Sequence, residues 1–481
     1  MEFEELKEKT SWKVNITLIA IFVSAVNFVR SFLLNSTPAS GIDSVFMEWV
    51  GWYTATTDAA IYTGIFDIQA PLAYLYPKLL YYFSFGNLTL HHFLNVSTTL
   101  SAAVIVVYLI GQITYDYTDN WKAAVIAALV MLSLHQFTLQ ASMGFRRKIF
   151  ALMFGLLSIK MYENGREKFS GIFAVLSPAF YAFGVFFSIT VFIKMLENRR
   201  EEFTYFILAS SATIIAVLTP VLIEGVLDEM ILEAIIVPLS ISENKTLLQV
   251  MGQAVITLRY PFTFFFTGLI GSILAFKQKK YWVTAGFMFY TYQLFFIDFD
   301  SASDAFMLFG FLSISTGLLL AKVPEKIEQV DFNIQKAALL IPALFIVINL
   351  GFGGGTGIIM DENYGIGGVL EDNQDKPLPL VPYIGQEAAK LLGYEIDTSS
   401  PGNEGQSKIK KFTTDDYWNK NKPGTCHYRW GSSETAWVER FNINKTGTIC
   451  GQYPEKYHPS ILEKIPEIIK NNPNFPKEYE N

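Results

Sequence analysis

The sequence predicts an α-helical polytopic membrane protein with a large first external loop and a small polar C-terminal domain, and three observations carry that prediction. Hydrophobic residues make up 51% of the 481 residues and charged residues only 17%, with a mean hydropathy of +0.30. Such values are unusual together for a chain that folds in water. Apolar stretches close to the roughly 20 residues that one bilayer crossing needs recur from Val14 onward. They stop near residue 350, after which residues 351–481 are polar. Residues 1–350 are therefore read as the transmembrane unit, with its first external loop at 35–89, and 351–481 as a separate extracytoplasmic domain.

Taken in order, the apolar stretches are 14–34, 90–114, 123–140, a shorter 149–162, then 169–195, 204–227, 261–276, 281–297, 305–321 and 337–350. Lys and Arg in short loops mark the cytoplasmic side. Lys7, Lys9 and Lys13 place the N-terminus in the cytoplasm, which puts the first loop outside. The cationic loops at Arg166 and Lys168, 194–200, 277–280 and 322–336 then belong inside, and the acidic ones at Asp228–Glu229 and 298–304 outside. These assignments agree only if 169–195 enters and leaves on the same side, as two short helices bending near 178–184. With that hairpin the count is about eleven helices, in a multi-pass protein of the cell membrane.

The stretch 41–85 is too polar to cross a bilayer and too aromatic for a solvated loop, so it is read as a folded cap on the membrane surface. It carries Asp43, Asp58 and Asp67 among Trp49, Trp52, Tyr53, Tyr62, Tyr74 and Tyr76. Carboxylates for hydroxyls and aromatic faces for C–H surfaces suit a sugar. A second feature runs against the charge rule. Arg146, Arg147 and Lys148 fall on the side that parity makes external. A phosphate would explain them, since Arg binds phosphate oxygens bidentately and Lys supplies a point charge. Lipid headgroups, or a topology that differs at this loop, are the plainer explanations.

The early Asp43, the stretch IYTGIFDIQAPLAY at 61–74 and the apolar run ending at Phe85–Gly86 resemble the GT-C superfamily of membrane glycosyltransferases, and the chain is similar to archaeal dolichyl-phosphate-mannose mannosyltransferases. Gly64, Phe66, Asp67, Pro71 and Tyr74 match the second motif, with Ala70 where a first Pro is common. The resemblance implies a GT-C-like fold and transfer of a sugar, mannose by analogy, from a dolichyl- or polyprenyl-phosphate carrier to a lipid- or protein-linked glycan acceptor on the outer face. It makes Asp43 the base that takes the acceptor proton, Asp67 a second member of the catalytic site, and Tyr74 a substrate contact. Arg146, Arg147, Lys148 and Arg259 would stabilise the departing phosphate. Outside that resemblance, Asp43 reads as a helix cap and Asp67 as a turn residue. The chain departs from the family in lacking an acidic residue after the third span, where the cationic run stands, and a W-W-D signature, for which Trp430–Gly431 is the nearest pair.

The remaining expectations are narrower. A net charge of −7 argues against a nucleic-acid partner, leaving the lipid-linked donor, the glycan acceptor and membrane lipids. No cofactor is expected, and no metal, because Asp298 and Asp300 read as a solvated turn. Cys426 and Cys450 match no zinc spacing and read as a disulfide in an oxidising compartment, with free thiols as the alternative. His91 and His92 are expected among headgroups at the outer interface. Two other classes compete: a secondary transporter, which would show repeats and buried mid-membrane charges, and a non-catalytic membrane subunit of glycan assembly.

Overall fold

An apolar chain in a bilayer satisfies its backbone internally, and here it does so with helices. The computed structural model describes residues 3–29, 47–48, 50–51, 54–55, 61–62, 69–142, 144–198, 203–231, 234, 258, 260–296, 302–323 and 334–352. Asp43, Asp67, Arg259, Cys426, Cys450 and the rest of 353–481, where a C-terminal domain is expected, lie outside the described residues.

The chain begins with α1 (Phe3–Phe28), and after the first loop come α2 (Pro71–Phe83) and α3 (Leu88–Thr118). Next are α4 (Trp121–Ser133), α5 (His135–Ala141), α6 (Arg147–Glu163), α7 (Glu167–Phe180) and α8 (Val185–Asn198). The series continues with α9 (Phe203–Glu224), α10 (Leu227–Ile231), α11 (Phe264–Lys277), α12 (Tyr281–Phe296), α13 (Phe306–Leu320) and α14 (Ile334–Phe352). Among the described residues, four helical stretches are long and apolar enough to cross a membrane alone: Ser11–Phe28, Leu90–Thr118, Phe203–Glu224 and Ser303–Leu320. The bent pair α4–α5 adds a fifth. The expected count of about eleven therefore leans on shorter helices, such as the 14 residues each of α7 and α8, about 21 Å apiece.

Local signals set the helix starts. Asn87 caps α3 by accepting the Leu90 amide at 2.9 Å, and Asn120 caps α4 by accepting those of Lys122 and Ala123. Within α3, Thr99 and Thr114 donate to the carbonyls four residues back, at 2.7 and 2.8 Å, which keeps their hydroxyls satisfied away from water. Large apolar side chains point outward on α1 (Leu18, Phe22), α9 (Leu208, Ile215) and α14 (Leu340, Val347), the arrangement expected of lipid-facing helices. At the centre α13 is buried from Phe306 to Leu318. Helix α11 can lie against it because Gly271 has no side chain; a Cβ there would stand 1.9 Å from the Ser315 carbonyl oxygen.

The hairpin expected in 169–195 is present. Ser158 of α6 pairs with Ser170 of α7, and Ser177 of α7 donates to Ala151 of α6 at 2.8 Å, so α7 runs antiparallel to α6. Ser188 of α8 donates back to Ala174 of α7 at 2.6 Å. The chain turns at Tyr181–Gly184, through a 3₁₀ turn at Ala182–Gly184, and both outer ends of the hairpin lie at one end of the bundle.

The span expected at 123–140 is different. It breaks at Leu134, which is extended at ψ 95°, and α4 and α5 diverge by 67°. No Pro or Gly marks the break. A partner from far along the chain compensates for it instead: Asn349 of α14 donates to the freed Ser133 carbonyl at 3.0 Å, while Asn27 of α1 donates to Thr138 at 3.0 Å.

Candidate functional site

The three cations of the sequence stand at the start of α6. Arg146 is the residue before the helix, the first turn contains no acidic residue, and no side chain caps its amides. The positive end of the helix therefore adds to the cations with no acidic residue of α6's own first turn opposing it. Lys148 is tied down, since its ammonium pairs with Asp304, reaches Ser303 Oγ at 3.2 Å and lies 5.0 Å from the Tyr181 ring centre. Arg147 lies 5.9 Å from that same ring, and its buried Nε has no hydrogen-bond partner among the described residues. Arg146 is 8% exposed.

A wall of rings supports this turn. Phe145 stacks on Tyr76 at 5.5 Å, and both contact Phe150 and Phe180. The first loop reaches the same place. Met47 lines a narrow cleft with Gln140, Arg146, Arg147, Lys148 and Ser303. Glu48, fully buried, accepts the Phe145 amide at 3.1 Å and lies 2.7 Å from His92 Nδ1. Gly51 lets this part of the loop rest on α2, because a Cβ would stand 2.6 Å from the Pro77 carbonyl carbon. Loop, the end of α5, the α6 start and the turn before α13 thus line one cationic cleft, with His92 of α3 behind it against Glu48. The larger cavity, about 530 Å³ between α1, α4 and α14, is apolar and includes none of these charges.

The expected site residues divide three ways. Arg146, Arg147 and Lys148 come together. Tyr74 is buried beneath the loop, with its ring edge-on to Tyr62 at 5.4 Å and its hydroxyl accepting the Gln69 amide at 3.1 Å, while the ring against the cationic turn is Tyr76. Asp43, Asp67 and Arg259 lie outside the described residues. Both histidines expected among headgroups are buried: His91 sits 3.0 Å from the Pro77 carbonyl and His92 against Glu48. Sequence reasoning missed Glu48, His92, Asp304 and Tyr181. The one available signal was the pair of adjacent histidines in an otherwise apolar stretch, which need partners if buried.

Comparison with known proteins points the same way. Residues 59–222 match the family model described as DolP-mannose mannosyltransferase. The dolichol phosphate-mannose mannosyltransferase of Haloferax volcanii is 27% identical over 448 residues, covering 91% of this chain and 96% of that one. The chain is a membrane glycosyltransferase. That sets aside the transporter and the non-catalytic subunit, and it agrees with the GT-C resemblance of Asp43 to Gly86. Among solved structures, ArnT from Cupriavidus metallidurans bound to undecaprenyl phosphate aligns with a TM-score of 0.48 at 12% identity, covering 73% of this glycosyltransferase and 66% of that chain.

Proposed function

We propose that the protein transfers mannose from a dolichyl- or polyprenyl-phosphate carrier to a lipid- or protein-linked glycan on the outer face of the membrane. The observation that carries the reading is the recess at the start of α6. Arg147 presents a buried guanidinium nitrogen there that has no partner among the described residues, at a helix end with no acidic residue in its own first turn. In charge such a place suits a phosphate monoester anion, the group that leaves in this reaction; the cleft itself holds about 10 Å³, so the phosphate would bind at its mouth.

In the proposed chemistry an acceptor hydroxyl oxygen attacks the sugar C1 while the C1–O bond to phosphate breaks. The bonding pair leaves with the carrier phosphate, where Arg146, Arg147, Lys148 and Arg259 meet the developing charge. The hydroxyl proton passes to the Asp43 carboxylate, and attack from the face opposite the phosphate inverts C1. Met47, four positions after Asp43 in the sequence, lines the cationic cleft, which supports placing base and phosphate site together. Asp67 and Tyr74 belong to the same loop; Asp67 is proposed to orient the acceptor, and Tyr74 to hold the loop's shape at Gln69. The C-terminal domain is proposed to stand outside, over the site, with Cys426 and Cys450 paired.

The test is sugar transfer by purified protein in liposomes, with dolichyl-phosphate-mannose and a lipid-linked glycan mixture. Wild type is expected to transfer mannose, and Asp43→Asn to lose at least about a hundredfold in rate while keeping its thermal stability. Equal activity in Asp43→Asn would remove it as the base, and no transfer from any polyprenyl donor would remove the donor class.

A further inference from the structure

We infer that Glu48 is a positioning residue of the donor-phosphate site, holding the Phe145–Lys148 turn in register through its two oxygens while taking no part in the reaction. The inference rests on the proposal that this turn receives the donor phosphate.

Burial and geometry argue for it together. Glu48 has no exposed surface, and each of its oxygens already has a partner: Oε1 accepts the Phe145 amide at 3.1 Å, and Oε2 meets His92 Nδ1 at 2.7 Å. A carboxylate so placed selects the Nδ1–H form of the imidazole as its donor. It is therefore poorly placed to receive a proton from an acceptor sugar. It is well placed to join parts of the chain far apart in sequence, since His92 belongs to α3 and Phe145 immediately precedes Arg146. On the other side of the turn the Phe145 ring, itself fully buried, is stacked on Tyr76. The Phe145 peptide is thus fixed by a hydrogen bond and by ring packing, and the backbone direction into Arg146 and Arg147 follows from it. Losing the acceptor would leave a buried amide unpaired and free the turn to rotate. A shift of the guanidinium groups of even about 1 Å would weaken their hold on a phosphate.

The experiment compares wild type, Glu48→Ala, Glu48→Gln, His92→Gln and Arg147→Ala in liposomes with dolichyl-phosphate-mannose. It reads kcat, donor KM and acceptor KM, together with hydrogen–deuterium exchange of the Phe145 to Lys148 amides. Glu48→Ala is expected to raise donor KM about tenfold or more, to leave acceptor KM unchanged, and to speed exchange at Phe145. Glu48→Gln keeps an oxygen for the Phe145 amide and an amide group for His92, so it should recover most of the donor affinity and the protection. His92→Gln, which leaves the Phe145 bond intact, should show a smaller effect in the same direction and serves if Glu48→Ala does not fold. If Glu48→Gln lost kcat while the Phe145 amide stayed protected, the charge would be chemical and the positioning role wrong. If Glu48→Ala left donor KM unchanged while Arg147→Ala raised it, the inference would fall and the phosphate reading would stand. If neither variant changed donor KM while the Phe145 amide loosened, the phosphate reading would fall and take the inference with it.

Discussion

The two ends of α3 and α6 carry two polar clusters of opposite character. At the end away from the first loop, Lys194 of α8 is 3% exposed; its ammonium bonds Glu163 Oε1 at 2.9 Å and the Tyr117 hydroxyl, and lies 4.6 Å from the ring centres of both Tyr117 and Trp282. Lys280 donates to the Tyr117 carbonyl at 3.1 Å, Lys160 pairs with Asp116, and Glu197 accepts the Trp282 amide at the start of α12. The charges at this end are consumed in joining α3, α6, α8 and α12. At the first-loop end, Asp304 pairs with Lys148, Glu48 holds the Phe145 amide, and Arg147 Nε has no partner among the described residues. The contrast sets charge that joins the helices against the cations proposed to meet the donor phosphate.

Lys194→Met should break the closed cluster most severely. It deletes two hydrogen bonds to an ammonium and the cation from two ring faces, for a loss of roughly 3 kcal/mol. Thermal unfolding in detergent should fall accordingly, while donor KM of the remaining folded protein is unchanged. A shift in donor KM would show that the two ends are not separate.

Arg147→Ala should do the reverse. Transfer is expected to fall about a hundredfold with thermal stability held, and Arg147→Lys should restore charge but only part of the rate, since it lacks the planar fork. Loss of stability without loss of transfer would assign Arg147 to the fold.

The mildest difference concerns pH. Glu163 lies one residue past the apolar stretch 149–162, facing Lys194 of α8, Asp116 of α3 and Lys160 of its own helix. Burial pushes its carboxyl up to about 8, with the Lys160 ammonium opposing the rise and the Asp116 carboxylate adding to it. A neutral carboxyl still accepts from Lys194, so the 2.9 Å contact is compatible with either form. Because the folded value exceeds the unfolded one of 4.5, the contribution to stability is full below about 4.5 and is lost as pH rises through about 8. The melting temperature of wild type should therefore decline between pH 6 and pH 9, and Glu163→Gln should flatten that decline. An equal slope in the variant would place the titrating group elsewhere.

Much of this architecture is legible in the amino-acid sequence. Helix type follows from apolar stretches, and the turn between α7 and α8 follows from a charge count that no single long helix could satisfy. The cationic run is recognisable because the parity of the expected spans sets it against the charge rule. The break at Leu134 is not, because it has no Pro or Gly and depends on Asn349, 216 residues away from Ser133. Tyr74 is singled out by its motif, yet the ring that meets the cationic turn is Tyr76, a choice made by the direction in which α2 packs.

The sequence by itself determined which segments avoid water, where the hairpin turns, and which cations stand apart, because hydrophobicity, length and charge are local properties that add along a chain. Only the tertiary structure decided that Glu48 would meet His92 and Phe145, 44 and 97 positions away, and that Asp304 would claim Lys148, 156 positions away. A buried carboxyl requires a partner but does not name one. The partner is set by which helix faces come within hydrogen-bond reach once the bundle has packed.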